Sequence, residues 1–425
     1  MPSSPAGHGA PRVAVIGAGA AGTMAAIFAA SRGARTLLLE RTRDGGRKIL
    51  ISGGGRCNVL PMAADESRFV TESSPHLLRK MIRSWPLAEQ IAFFETDLGI
   101  PLAEEKESGK LFPTSNRARD IRDALLSLAV RKGATLMMES LVTGLEPTRS
   151  GWRIERRGGP PVEADAVIVA TGGLSVPSTG SDGAGLRMVE DLGHTVHPTY
   201  AALTPLLAEV GPAAVFARLA GVSLPVRLTA RAGRRAAEAT GGFLFTHRGY
   251  SGPAVLDISH VAVRSRGDEG PPARIVARWT AFGDEEWTAA LRPLGTRTVG
   301  GALRAQLPER LAIALLEIAG VDPARRLADL RREERRRVVE VLVRGELPWT
   351  GDEGYRKAEV TGGGIDLAEI DPKTMASRKR PGLYLCGELL DAFGPIGGYN
   401  FLWAWATGRA AGLGAAAHAR TRTGS

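Results

Sequence analysis

The chain has 425 residues, 44% of them hydrophobic and 24% charged, which excludes wholesale disorder and leaves mass for two or three domains. Its two cysteines, Cys57 and Cys386, exclude a disulfide-built scaffold and a cysteine-rich zinc or iron–sulfur site. The 55 basic and 45 acidic residues leave a net charge of +10, carried mostly by arginine. The densest basic run, Arg325 to Arg344, is interleaved with Asp329, Glu333, Glu334 and Glu340. It therefore reads as a solvated helix face, and nucleic acid is not expected as a partner.

Residues 1–10 read as a disordered start. Val13 to Ser31 carries no charge and is long enough to imitate a signal or membrane-spanning segment. Glycines at 17, 19 and 22 break it where a strand–turn–helix needs them. The segment is therefore read as a strand at Val13–Ile16 and a helix over about Ala20–Arg32, followed by a second strand at Arg35–Glu40. No other stretch of spanning length is free of charge, so no membrane partner and a cytoplasmic location are expected.

This opening carries Gly17-x-Gly19-x-x-Gly22, with Glu40 closing the next strand. Gly17 permits a tight turn, Gly19 leaves room for a pyrophosphate, and Gly22 allows close helix–strand packing. The helix start offers free N–H groups to phosphate, and Glu40 is placed for a ribose diol. NAD and FAD both fit. FAD is favoured because there is one such fingerprint, because the following Gly45–Asn58 loop adds Arg47, Lys48 and Arg56, and because a late turn, Gly397-Gly398-Tyr399-Asn400, opens the final helix.

Helical patterns follow at about 76–83, 86–98 and 116–131, with strands at 135–146, 151–156 and 165–170. The last is a continuous apolar run ending in Thr171-Gly172-Gly173, as in a buried parallel strand. From about 196 short, partly alternating segments (204–209, 224–231, 241–246, 273–280) suggest antiparallel sheet. Helical patterns then cover about 283–292, 308–319 and 323–344. Beyond 346 the buried-strand style returns at Leu383–Cys386, before the helix Phe401–Ala416. The expected organisation is a first part at 1–195, an insert at 196–345 and a second part at 346–425.

Four blocks of residues resemble the bacterial NAD(P)/FAD-dependent oxidoreductase family that includes bile-acid dehydro-reductase-like and aminoacetone-oxidase-like flavoproteins. They are Gly17–Gly22 with Glu40, Gly46–Asn58, Phe243–Leu256, and Gly387-Glu388 through Asn400 with Trp403-Ala404-Trp405. The resemblance implies a Rossmann-like, parallel-sheet FAD domain built from both chain ends. The insert it implies has a small antiparallel β-barrel (about 196–282) and a helical subdomain (about 283–345). By position it implies a binding set of Gly17, Gly19, Gly22, Glu40, Arg47, Lys48, Gly54, Arg56, Asn58, Thr171, Gly172, Gly387, Glu388, Gly397, Gly398 and Asn400 around non-covalent FAD. Cys386 and Phe401-Leu402 depart from the family's common residues beside the expected flavin.

Dithiol chemistry is not expected, since no Cys-x₂-Cys exists. Cys57 beside Arg56 is either a reactive thiol or a packed small residue. His194 and His197 lack further metal ligands, and Ser251 lacks the spacing of a nucleophile elbow. No metal is expected, and catalytic residues are not assigned. Arg56 and Tyr399 are candidates to face substrate. Of Trp403 and Trp405, one is expected in the core and the other to line a pocket. The expected function is an FAD-dependent reductase of a small organic acceptor, with NAD(P)H as a transient donor. The alternatives are a flavin amine oxidase and, behind it, a flavin-containing RNA-binding or RNA-modifying protein.

Overall fold

The structure is a computed structural model, and it describes residues 12–208, 214–267, 269–293 and 295–423. Residues 1–10, expected to be disordered, lie outside them. The chain divides into two compact units, Met1–Thr199 with Val360–Ser425, and Tyr200–Glu359.

The first unit is built on a five-stranded parallel sheet. Its strands are β1 (Arg12–Ile16), β2 (Arg35–Leu39), β3 (Thr135–Met137), β4 (Ala166–Val169) and β5 (Leu383–Leu385), in the order β5-β4-β1-β2-β3. Val13 to Ile16 and Ala166 to Val169 are buried throughout, as a central parallel strand covered on both faces requires. The order reverses at β1, which pairs β2 on one side and β4 on the other, making the crevice at their carboxyl ends the natural ligand position.

Helix α1 (Ala20–Ser31) packs against the final helix, α2 (Tyr399–Thr423). A Cβ at Gly408 would lie 2.3 Å from the Ala21 carbonyl oxygen, and one at Gly412 would lie 2.3 Å from that of Ala25. Only glycine permits this backbone-to-backbone approach. The two indoles near the start of α2 are both buried, and each donates to a loop carbonyl: Trp403 to Gly387 at 3.0 Å, Trp405 to Val59 at 3.1 Å. Both indoles are thus in the core, where one was expected.

Residues 45–58 were expected to be loop throughout. They contain a one-turn helix, Arg47–Ile51, and a glycine turn, Ser52–Gly55. Five residues are too few to show a helical period. The turn starts where Gly46 is left-handed and its missing side chain makes room for the Arg122 stem. His194, singled out with His197 in the sequence, has both ring nitrogens engaged. Its ring is buried between Glu369, 2.8 Å from Nδ1, and Ser377, 2.8 Å from Nε2.

The second unit holds a seven-stranded antiparallel sheet, in the insert for which the resemblance implied an antiparallel β-structure. Its order is Gly345–Glu346, Arg274–Arg278, Ser223–Ala232, Arg235–Phe245, Gly249–Ser251, Leu206–Leu207, Gly351–Asp352. Its core is aromatic, with Phe245 stacked on Trp279 at 5.9 Å and Phe216, Phe243 and Tyr250 around them. Helix Pro253–Ser265 lies over this sheet, its Pro253 against the bare faces of Gly241 and Gly242. This helix escaped the sequence reading, although Gly252-Pro253 is a good start signal. The charged helix expected from 323 starts at Arg332. Leu330 and Arg331 are extended, and the Arg331 N–H donates to Glu334 at 2.9 Å, which caps the helix there.

Gly408→Leu is expected to destabilise the protein by about 1–3 kcal/mol through overpacking, read as a lower urea midpoint. A second expectation concerns acid. Burial favours raising the Glu369 carboxyl, but hydrogen bonds from Lys379 and Thr195 prevail and hold it down to about 2. Burial holds His194 below its ordinary value despite Glu369. Both folded-state values are depressed, so both groups stabilise at neutral pH. The His194 contribution fades as the pH falls below about 6.5, and that of Glu369 as it falls from about 4.5 towards 2. Denaturation measured across this range should show Glu369→Gln with a flatter acid limb than the unaltered protein.

Candidate functional site

The glycine turn after β1 has the geometry its spacing suggested. Gly17 has φ +100°, and a Cβ there would strike the Ala170 carbonyl oxygen at 2.6 Å. A Cβ on Gly22 would lie 1.8 Å from the Gly17 carbonyl oxygen, so the helix can sit this close to the strand only without one. At Gly19 a side chain would meet nothing within 4 Å. Gly19 is also the cap of α1, with no side chain to satisfy the helix N–H groups and no acid in the first turn. An uncapped helix start facing open space is a ready site for an anionic group.

Glu40 follows β2 and is 7% exposed. One carboxylate oxygen accepts from the Ala18 N–H at 2.7 Å, and the other accepts from the Thr42 N–H and hydroxyl, each at 2.7 Å. The carboxylate thus braces the glycine turn and retains acceptor capacity for further donors. Thr171 follows β4 beside Gly17, and its buried hydroxyl has no partner among the described residues. Gly172 takes φ +73° against the Ser181 hydroxyl.

Lys48 and Glu388, far apart in sequence, form an ion pair at 2.5 Å. Ser175 joins them, accepting from Lys48 at 2.6 Å and donating to Glu388 at 2.6 Å. Thr361 donates to the same carboxylate through its N–H at 3.0 Å and its hydroxyl at 2.9 Å. Its hydroxyl oxygen in turn accepts from the Leu174 and Ser175 N–H groups. Sequence reasoning missed Ser175 and Thr361. The available signals were the continuation of Thr171-Gly172-Gly173 and the glycine run after Thr361. Gly387, at φ +78°, sits against α1, where a Cβ would be 2.8 Å from that of Ala21.

The remaining sequence-singled residues line the loops near the start of α2. Asn58, with its amide oriented to suit its neighbours, donates to the Leu60 carbonyl at 3.2 Å and accepts from the Gly398 N–H at 3.0 Å. Gly398, at φ +92°, has no room for a side chain over Leu60. Asn400 closes the turn through both the carbonyl and the N–H of Gly394, at 3.0 and 2.9 Å. Gly397 is left-handed at φ +108°, and Gly54, at φ +67°, borders open space. Arg56 lies 4.1 Å over the Phe112 ring and pairs with Glu105 at 2.9 Å. Arg47 stands apart from this group, held by Asp44 at 2.8 Å. Tyr399 does not face open space. It is buried, and its hydroxyl donates to the Ala63 carbonyl at 3.2 Å.

Burial pushes the Cys57 thiol up to about 12 and raises that of Cys386, so neither is a ready thiolate. Among the described residues no cluster of His, Cys, Asp or Glu could hold a metal ion, and no helix is long and apolar enough to cross a membrane. The uncapped helix, the open face of Gly19 and the buried Glu40 suit the pyrophosphate and ribose of an adenine dinucleotide, whereas the Thr171 hydroxyl packs against Gly185.

A family model described as the HI0933-like protein Rossmann domain matches residues 11–414. The chain is 33% identical over 400 residues to the ribosomal RNA dihydrouridine synthase of Escherichia coli strain K12, covering 92% of this chain and 95% of that protein. It is also 33% identical over 416 residues to the 3-dehydro-bile acid delta(4,6)-reductase of Clostridium scindens, covering 95% of this chain and 99% of that protein. A chain of the Mycobacterium smegmatis Sdh1 complex superimposes with a TM-score of 0.51 at 18% identity, over 96% of this chain and 69% of that one, a likeness of fold.

Lys48→Met removes a charge-assisted hydrogen bond and leaves the Glu388 carboxylate without its cation. The expected cost is about 1.5–3 kcal/mol, read as a lower denaturation midpoint, with Lys48→Arg recovering part of it.

Proposed function

The chain belongs to the HI0933-like Rossmann family, and from that premise we propose that it is an FAD-dependent reductase that saturates a carbon–carbon double bond conjugated to a carbonyl, using NADH or NADPH. One observation carries the reading. Two relatives that align over nearly their whole length bear names describing the same bond change. Dihydrouridine is uridine with its ring double bond saturated, and a delta(4,6)-reductase of a 3-dehydro bile acid acts on double bonds conjugated to the ring ketone. Neither name describes oxidation of an amine, so the amine-oxidase alternative draws no support from them.

The chemistry supplied by bound FAD is two-electron transfer from the nicotinamide to the acceptor bond. The chain's own residues bind and orient. The first-turn N–H groups of α1 and the bare face of Gly19 hold the pyrophosphate. Glu40 accepts from the adenosine ribose while bracing the turn that carries those N–H groups. The Lys48–Ser175–Glu388–Thr361 network fixes the segment at Gly387 beside α1 and offers hydroxyl and carboxylate groups to the ribityl chain. The acid-free first turn of α2 presents N–H groups to the polar edge of the ring system. Arg56, half-buried and held by Glu105 and Phe112, is the cation of this loop assigned to the acceptor side.

The test is a spectrum of the purified protein followed by anaerobic mixing. An oxidised-flavin spectrum, bleached by NADH or NADPH and restored by a uridine-containing RNA or a 3-oxo-4,6-diene steroid, is the expected outcome. A colourless protein that fails to bind added FAD in a fluorescence titration overturns the reading. So does a flavin bleached by small amines but not by either nicotinamide.

A further inference from the structure

Strand Lys110–Pro113 is the middle strand of a three-stranded sheet in the first unit, between Leu60–Pro61 and Leu102–Glu105. Alternate side chains of a strand share a face, so Lys110 and Phe112 stand on the same side. Each meets a glycine turn. The Phe112 ring would lie 3.1 Å from a Cβ on Gly53, and the Lys110 stem 3.7 Å from one on Gly397. The first turn follows helix Arg47–Ile51 and the second opens α2, so one strand face spans two glycine turns of the candidate site. Gly397, at φ +108°, takes no side chain without strain, and the space over it falls to the lysine.

The charge of Lys110 is not met within the fold. Glu105 is directly across the strand pair and is the natural partner. Both of its oxygens are already taken: Arg56 donates to one at 2.9 Å, and the Ser108 hydroxyl donates to the other. Those hydrogen bonds, from Ser108 and then Arg56, hold the Glu105 carboxyl below its ordinary value, whereas Lys110 acts on it through charge alone. Glu104 belongs to the opposite face of its strand, and Glu107 lies beside Lys106 in the exposed turn. The Lys110 side chain is half-buried and has no hydrogen-bond or ion-pair partner among the described residues. A cation withdrawn from water without a counter-charge favours whatever anion comes beside it.

The preceding subsection sets the first turn of α2 against the polar edge of the flavin ring system, and the inference rests on that reading. Hydride transfer adds one proton and two electrons to the neutral oxidised ring, while the nicotinamide becomes its oxidised cation. The ring then carries one negative charge on its pyrimidine edge. A fixed cation there favours the charged form over the neutral one. We infer that Lys110 is a catalytic residue that touches the cofactor: its ammonium, carried over the turn that opens α2, pairs with the negative charge of the reduced flavin and sets how readily the cofactor accepts electrons.

The experiment is an anaerobic redox titration of the FAD-loaded full chain against a reference dye, with K110M and K110R beside the unaltered protein. K110M should shift the reduction equilibrium about tenfold towards the oxidised form, which is about 30 mV for a two-electron couple. K110R keeps the charge and should stay within about twofold of the unaltered protein. Affinity for oxidised FAD, followed by fluorescence, should change less than about threefold in K110M, because the oxidised ring is neutral. Loss of packing alone would not produce that split. An unchanged equilibrium in K110M with FAD bound overturns this inference alone, including the case in which K110M instead raises KM for the acceptor and so places Lys110 against substrate. Equal loss of oxidised FAD from K110M and K110R also overturns it and makes Lys110 a packing residue. An unaltered protein that binds no FAD overturns the preceding reading, and this one with it.

Discussion

The first unit depends on one close approach. The backbone of α1 at Ala21 and Ala25 touches the backbone of α2 at Gly408 and Gly412, without side chains between them. Glycine in a helix costs roughly 1 kcal/mol relative to alanine, so two of them four residues apart weaken α2 in isolation. The contact offsets that cost through dense packing of the two helices. It also determines where everything else lies. With α2 held against α1, Gly387 is pressed onto Ala21 and Gly398 onto Leu60, and the loops from the end of the chain meet those from its beginning.

On that frame glycine and charge divide the work. Gly17 and Gly22 remove atoms so that strand and helix can touch, whereas Gly19 removes atoms over empty space. The polar network of Lys48, Ser175, Glu388 and Thr361 then ties together three segments far apart in sequence. A partly buried ion pair is stabilising only when its remaining hydrogen-bonding capacity is met. Here Ser175 and Thr361 meet it, and the network lies against Gly172 and Gly173.

The second unit shows why net charge says little about partners. The same arginine-rich composition contains residues tied to carboxylates and carbonyls, such as Arg325, Arg337 and Arg344, and residues such as Arg332 and Arg336 whose side chains have no partner among the described residues. The difference lies in which carboxylate the fold brings within reach. Glu334 is taken by Arg325 across a turn, and the arginines around it are left over.

The sequence by itself determined the first βαβ unit, the parallel-sheet character of Val13–Ile16 and Ala166–Val169, and the three separate purposes of Gly17, Gly19 and Gly22. These are local matters: apolar runs report burial, and glycine spacing reports a turn whose sterics involve neighbouring residues. The short helix Arg47–Ile51 and the start of the charged helix at Arg332 were not legible, because a single turn has no period and a cap depends on one side chain reaching back. Only the tertiary structure decided that Lys48 meets Glu388, that Tyr399 and both Trp403 and Trp405 are buried, that His194 is held by Glu369 and Ser377, and which arginines remain unpaired. Each is a contact between segments distant in the chain, and its energy depends on burial and on a partner's position. Neither quantity is written in the order of the residues.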